Sequence, residues 1–388
     1  MTVSRVKYSD FRNIVSGEIG LSPGVNVFLG NNAEGKTNAL EGIYLMAAGK
    51  SFRTPREREM VRFGADHFEV TLSMADSRRE QELSFRAYSA ESGRRRECRK
   101  NGVAISRIGE FLGVFRAVLF CPEHLSIVKD GPSERRNFLD IAICQLRPIY
   151  LAALTRHNKI LAQRNALLKQ LADGVGEREL LDVYSEQLAR EAALIYATRL
   201  EYTKALDGYV KRFFEELSDV SSKGETPGLR FKNSLKSDEL TPEEALEGYR
   251  RVLNANVSRE IAAGASLYGS HKDDIEIFLD GREARLYASQ GQQRSLALAM
   301  KLGEGEISRE YSGEYPVFLF DDVLSELDPA RQKFLLSRLG ERQVIMTACT
   351  PPPFAGRAEF IRVEGGRYEP MTSGVDGSCL TDRKGDGG

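Results

Sequence analysis

The chain has 388 residues, 41% hydrophobic and 29% charged, a balance that suits one large or two ordinary globular domains and excludes a low-complexity chain. Lys and Arg number 55 against 56 Asp and Glu, a formal net charge of -1, so a nucleic-acid face has to be a local patch. No apolar run is long enough to span a membrane, the start MTVSRVKYSDFRNI has no apolar signal core, and the five scattered cysteines form no CxxC pair; the expectation is a reduced, cytoplasmic chain with no membrane partner.

In chain order, the first strong element is the apolar run Val25 to Leu29, which reads as a buried strand. Gly30-Asn31-Asn32-Ala33-Glu34-Gly35-Lys36-Thr37 follows, then a helix that reads as amphipathic and carries Leu40, Ile43, Tyr44 and Met46. The octet is a full GxxxxGK[ST] match in strand-loop-helix context. Its glycines let backbone N–H groups turn around phosphate oxygens, Lys36 reaches the β and γ phosphates, and the Thr37 hydroxyl holds Mg2+. ATP and Mg2+ are therefore the expected cofactors, with Gly30 through Thr37 and the adjoining Asn38 as the binding residues.

Alternating segments at 67–76 and 81–90 read as strands, and Asn101-Gly102 between Lys100 and Val103 reads as a hairpin turn, so an antiparallel sheet is expected beside the parallel one. Next to that hairpin, Arg94, Arg95, Arg96, Arg99 and Lys100 put five cations in seven residues. They are candidate DNA-phosphate contacts, the alternative being a solvated strand face. Arg135-Arg136, at a helix start, are expected to pair with local carboxylates or nucleotide. Residues 133–174 and 177–217 run with helical periodicity, and a third helix is expected where Thr241 caps and Pro242 takes the first turn. These antiparallel helices suggest an arm too short for a long coiled coil.

Ser289-Gln290-Gly291-Gln292-Gln293-Arg294-Ser295 opens the next long helix, and a helix N-terminus is an anion site. The stretch resembles the LSGGQ signature of ABC-type ATPases, with Ser289, Gly291 and Gln292 at matching positions; an ordinary helix cap would account for Ser289 alone. In ABC-type ATPases the signature serves the nucleotide of a second subunit, so an ATP-dependent homodimer is expected. The run from Tyr315 is an apolar strand ending in Asp321-Asp322, the first acid placed to hold Mg2+ and the second to orient or deprotonate the attacking water. Ser325 and Asp328 stand where a D-loop belongs. P-loop, signature, acidic strand and D-loop follow one another in the ABC order.

Several segments together resemble the RecF family: FRNI from Phe11, the P-loop, FCPEHLSIVKDGPSERRNFLD from Phe120, HNKILAQRNALLK from His157, GSHKDDIEIFLDG from Gly269, SQGQQRSLALAMKL and LFDDVLSELD. The resemblance covers the chain up to about residue 370. It implies an α/β, ABC-type P-loop ATPase head of mixed and antiparallel sheets with an inserted helical arm. The head would occupy 1–132 and 266–370 and the arm 133–265; the tail at 371–388, beyond the resemblance, is glycine-rich and polar and reads as disordered. It also implies a weak, DNA-stimulated ATPase that binds single- and double-stranded DNA and helps load recombinase at junctions with RecO- and RecR-type mediators. The alternative is an SMC-like head acting as a DNA tether, which would call for long heptads. The second acid is Asp322 rather than glutamate, which fits slow hydrolysis. Thr347 or a neighbour stands where many ABC proteins carry histidine, and Phe52 in SFRT stands where the family leads one to expect histidine. The four histidines, His67, His124, His157 and His271, are too dispersed in sequence to suggest a metal site.

Overall fold

The computed structural model describes residues 1–94, 96–218, 224–237, 239–340, 342–352 and 358–371; Arg95 and the tail from 372 lie outside them. The chain forms two compact units, Met1–Pro122 with Ser312–Gly388, and Glu123–Tyr311.

In the first unit, β1 (Thr2–Phe11) and β2 (Ile14–Gly20) pair antiparallel, and β3 (Val25–Leu29) runs through the glycine loop into α1 (Lys36–Ala48). Strands β4 (His67–Ala75), β5 (Glu80–Tyr88), β6 (Glu97–Lys100) and β7 (Val103–Ile105) follow, then α2 (Ile108–Phe111) and β8 (Ala117–Phe120). An antiparallel sheet takes the order β2-β1-β4-β5-β6-β7. Its alternating strands put Phe68, Val70, Leu72 and Met74 of β4 and Leu83, Phe85 and Ala87 of β5 into the core, as a half-buried strand requires. At the β6–β7 turn Asn101 and Gly102 both have positive φ, 50° and 77°, the left-handed pair of a two-residue hairpin.

The second unit holds α3 (Pro132–Cys144), α4 (Pro148–Ala172), α5 (Arg178–Ser218), β9 (Pro227–Lys232), α6 (Pro242–Ala255) and α7 (Val257–Ala263). Then come β10 (Asp274–Leu279), β11 (Arg282–Glu283), α8 (Ala284–Tyr287) and α9 (Gln290–Ser312). The helical run expected over 133–174 is two helices, because Pro148 disfavours helical geometry at Arg147 and starts a new helix at its own first turn. Thr241 caps α6 in a reciprocal capping box with Glu244. Leu188, Ala189, Ala192 and Tyr196 of α5 pack with Ala245, Tyr249 and Leu253 of α6, the four- and three-residue spacing of facing helix stripes.

The chain returns to the first unit with β12 (Val317–Phe320), α10 (Pro329–Ser337), β13 (Val344–Ala348), β14 (Ala358–Glu364) and β15 (Arg367–Pro370). The second sheet has the order β15-β14-β3-β13-β12-β8, parallel except for β15. Helix α1 touches β8 and β13 of this sheet and β1, β4 and β5 of the antiparallel one. The helix is therefore buried all round from Ala39 to Ala47, not amphipathic as its spacing suggests: each sheet covers one of its faces. Gly42 is part of that fit, since a Cβ there would lie 2.5 Å from the Tyr8 ring.

Candidate nucleotide site

The glycine loop leaves the carboxyl end of β3, where an open parallel sheet presents its crevice. Ala33 and Gly35 take positive φ, 68° and 109°, and Lys36 begins α1. The Lys36 side chain is nearly buried, and its ammonium donates to the carbonyls of Gly30 at 2.5 Å and Asn31 at 3.2 Å and lies 3.1 Å from Cys349 Sγ. Cys349 also contacts Asn32 Oδ1 at 3.1 Å. Thr37 Oγ1 donates to Asp321 Oδ1 at 2.8 Å, so the two residues assigned to Mg2+, 284 positions apart in the chain, are in direct contact. A hydroxyl and a carboxylate oxygen side by side are hard donors of the kind Mg2+ takes, and the pair fits the ion.

Asp321 directly follows β12, and its backbone N–H donates to the Phe120 carbonyl of β8 at 2.8 Å. Asp322 is exposed and held at φ 49°, a conformation non-glycine residues take at some cost. Thr347, at the end of the neighbouring β13, secures both acids. Its hydroxyl donates to Asp321 Oδ1 at 3.0 Å and accepts from the Asp322 N–H at 2.8 Å.

Behind the loop, FRNI and SFRT meet on one carboxylate. Arg12 of FRNI grips the fully buried Glu41 of α1 with Nε at 2.9 Å and Nη2 at 2.5 Å, and Ser51 and Arg53 of SFRT bind the same carboxylate. Arg53 also donates to Asn38 Oδ1 at 2.7 Å, and Asn38 Nδ2 to Asn13 Oδ1 at 2.7 Å. Phe52 packs edge-on against Tyr44 with centroids 5.6 Å apart, an apolar role for the position expected to be histidine. Glu41, Arg12, Arg53 and Cys349 were not singled out from the sequence; of the four, only Arg12 lies in a segment that carries the family resemblance.

The signature segment lies in the second unit. Ser289 and Gln292 form a capping box: the Ser289 N–H donates to Gln292 Oε1 at 2.6 Å, and the Gln292 N–H to Ser289 Oγ at 3.3 Å. Gln292 Nε2 donates to Glu225 Oε1 at 2.6 Å, and Gln293 Nε2 to the Ala288 carbonyl at 3.0 Å. The glutamines thus help to frame the helix start as well. Gly291 is half-buried and Ser289 exposed on the first turn. In the first unit, Ser325 Oγ donates to the Asp322 carbonyl at 2.7 Å, and Asp328 caps α10 through the N–H groups of Ala330 and Arg331.

The basic cluster is partly neutralised. Arg96 pairs with Glu57 at 2.5 Å, Arg99 with Glu97 at 3.7 Å, and Arg94 stacks over Tyr88 at 5.6 Å; Lys100 is half-buried. Arg135 is clamped to Asp274 by two bonds of 2.8 and 2.6 Å, the carboxylate pairing expected of it, whereas Arg136 donates to the backbone carbonyl of Asp273 at 2.8 Å. Folding brings His157 and His271 together, rings 5.9 Å apart, although no group of three or more metal-ligating side chains occurs among the described residues.

Residues 2–368 match the RecF/RecN/SMC N terminal domain family. The DNA replication and repair protein RecF of Acetivibrio thermocellus is 36% identical over 374 residues, covering 95% of this chain and 99% of that protein. The RecF of Exiguobacterium sp. is 37% identical over 351 residues, covering 89% and 92%. A solved structure of the recombination mediator protein RecF with ATP, of the RecFOR pathway, superposes with a TM-score of 0.88 at 31% identity, covering 95% of this chain and 97% of that one. An SMC head bound to the C-winged helix domain of ScpA shares the fold at 17% identity and a TM-score of 0.56. With its P-loop and acidic strand joined in one constellation and near-complete coverage by these relatives, the chain belongs to the RecF family of DNA replication and repair proteins.

Proposed function

We propose that the chain is an ATP-switched DNA-binding protein of recombinational repair and replication-fork recovery. Two copies close around ATP, each P-loop meeting the Ser289, Gly291 and Gln292 segment of the other copy. The closed form helps to load recombinase at single-strand/double-strand junctions, with RecO- and RecR-type mediators in the cytoplasm. The observation that carries this reading is the contact of Thr37 with Asp321, next to Lys36 and Asp322, in a chain whose relatives include ATP-bound RecF.

Each residue has a task. The N–H groups from Asn31 to Thr37 bind phosphate oxygens, Lys36 turns its ammonium from its own loop carbonyls to the β and γ phosphates, and Thr37 and Asp321 would hold Mg2+. The metal, when bound, offsets charge on the phosphates. Asp322 orients a water or takes its proton, and its short side chain suits a slow ATPase that works as a timer. Asp328 shapes the D-loop by capping α10, and Ser325 braces it. The second unit, with the arm at 133–265, is read as an insertion into the head. Arg94, Arg95, Arg96, Arg99 and Lys100 are the candidate DNA contacts; Arg96 and Arg99 would exchange carboxylate partners for phosphate.

Light scattering after size exclusion, with ATP, ADP and gapped DNA, tests the reading. Wild type should double in mass with ATP; Lys36→Met should neither bind ATP nor dimerise; Ser289→Arg should bind ATP and stay monomeric. A mixture of the two variants forms heterodimers with one intact composite site and should regain some ATP-dependent association. Loss of ATP binding by the Ser289→Arg monomer would overturn the in-trans role of the signature.

A further inference from the structure

The hairpin of β14 and β15 ends against the glycine loop. Its turn, Gly365-Gly366, takes positive φ at both positions, 56° and 77°, a conformation glycine adopts without penalty. From this turn the Gly366 N–H donates to the Glu34 carbonyl at 2.9 Å, and the Gly365 N–H to the Glu34 carboxylate. Two residues on, the Tyr368 hydroxyl donates to the Gly35 carbonyl at 3.0 Å. On the incoming strand, the Val363 carbonyl oxygen comes so near Gly30 that a Cβ there would lie 2.3 Å from it. The hairpin therefore touches the loop at its first glycine and at its last two residues before Lys36.

Tyr368 is wedged in place by aromatic neighbours, Tyr8 at 6.4 Å and Phe28 at 6.0 Å between centroids. Burial pushes its phenol well above the usual range, so it keeps the proton it donates. Tyr8 in turn donates to the Ala39 carbonyl in the first turn of α1 at 2.6 Å.

A trans peptide points its C=O and N–H in opposite directions. A phosphate-binding loop must aim the N–H groups of Gly35 and Lys36 at the anion, so the carbonyls of Glu34 and Gly35 must face away and find donors there. The helix supplies one, the Ala39 N–H to the Gly35 carbonyl at 3.0 Å. The hairpin supplies the Gly366 N–H and the Tyr368 hydroxyl.

We propose that Gly365, Gly366 and Tyr368 are positioning residues for ATP: they fix the Glu34-Gly35 and Gly35-Lys36 peptide planes with their N–H groups toward the phosphates, so that this hairpin sets how long nucleotide stays bound. The inference rests on the nucleotide-site reading above. Tyr368→Phe is the cleanest variant, since it keeps the ring that packs on Tyr8 and Phe28 and removes only the hydroxyl.

Release of a fluorescent ATP analogue, followed by stopped flow, should be roughly three- to tenfold faster in Tyr368→Phe, the effect of one neutral hydrogen bond. Glu34→Ala should also release faster, and Glu34→Gln, which keeps an oxygen acceptor for the Gly365 N–H, should lose less. In nucleotide-free protein, amide hydrogen exchange over residues 31–37 should speed up in Tyr368→Phe, a readout independent of turnover. Release within twofold of wild type in both Tyr368→Phe and Glu34→Ala, with unchanged exchange, would overturn the positioning role while leaving ATP binding intact. If wild type itself bound the analogue no better than Lys36→Met, the nucleotide-site reading would fall, and this inference with it.

Discussion

A single hydroxyl joins the two acids of the site. Thr347 Oγ1 donates to Asp321 and accepts from the backbone of Asp322, holding the left-handed turn at Asp322 that places its carboxylate in solvent. Thr347→Val preserves the branched shape and removes both bonds, leaving the Asp322 N–H without this acceptor. Turnover should fall by about tenfold or more, the scale of a misplaced general base, while ATP affinity stays within about threefold because Lys36 and the loop are untouched. Thr347→Ser, which restores the hydroxyl, should recover most of the rate. Steady-state kinetics beside equilibrium binding checks this; equal losses in Thr347→Ser and Thr347→Val would count against the hydroxyl.

At the scale of elements, the second unit is stitched by buried charge. Arg164 of α4 and Glu260 of α7 are both fully buried and pair at 2.6 Å. Arg164 also donates to Ser185 Oγ of α5 at 3.0 Å and to Ser266 Oγ at 2.7 Å. Glu260 Oε1 accepts from the Leu267 N–H at 2.7 Å, tying down the segment after α7. Removing one partner of such a pair costs more than the pair contributes, because the other charge is left in a low-dielectric interior. Glu260→Ala should destabilise the protein by about 3–5 kcal/mol, with Glu260→Gln milder because it keeps hydrogen-bonding atoms at the same place. Urea unfolding measures both; a loss under about 1 kcal/mol for Glu260→Ala would mean that water reaches the guanidinium.

For the molecule as a whole, two neighbouring buried groups contribute to the acid dependence of stability with opposite signs. Burial holds His271 down at about 4, assisted by the nearby His157, Lys272 and Arg136 charges. Burial pushes Asp273 up to about 6, against the opposing pull of Arg199, Arg136 and its bonds from Ser234. Below about pH 6.5 the unfolded chain takes up a proton at His271 that the native state refuses until about 4, so this contribution to stability is lost as pH falls through that window. Asp273 works the other way: the native state keeps its proton up to about pH 6 while the unfolded chain releases it near 3.8, so stability is lost as pH rises between those values. His271→Gln removes the first of these contributions, so its stability relative to wild type should improve on going from pH 6.5 to pH 4. Urea midpoints at several pH values check the sign; parallel curves for the two proteins would refute the assignment.

How much of this was legible beforehand follows from the range of the interactions. The strand Val25–Leu29, the P-loop, the acidic strand ending at Asp321 and the Asn101-Gly102 hairpin are local patterns, each dictated by side-chain period or by a glycine-permitted turn within about ten residues. The sequence alone therefore established the fold class, the nucleotide loop and the family. It read α1 as amphipathic, because periodicity cannot report that two sheets cover both sides of one helix. It read residues 133–174 as one helical run, because apolar spacing persists across the break before Pro148. The capping box of Ser289 with Gln292 is also a local pattern, S-x-x-Q at a helix start, which the reading of the sequence as a signature passed over. The meeting of Arg12 and Arg53 on Glu41, the bridging hydroxyl of Thr347 and the Gly365-Gly366 turn against Glu34 were decided by tertiary structure: each joins residues brought side by side only by sheet order β15-β14-β3-β13-β12-β8 or by a helix packed between two sheets, and no short-range pattern encodes such a contact.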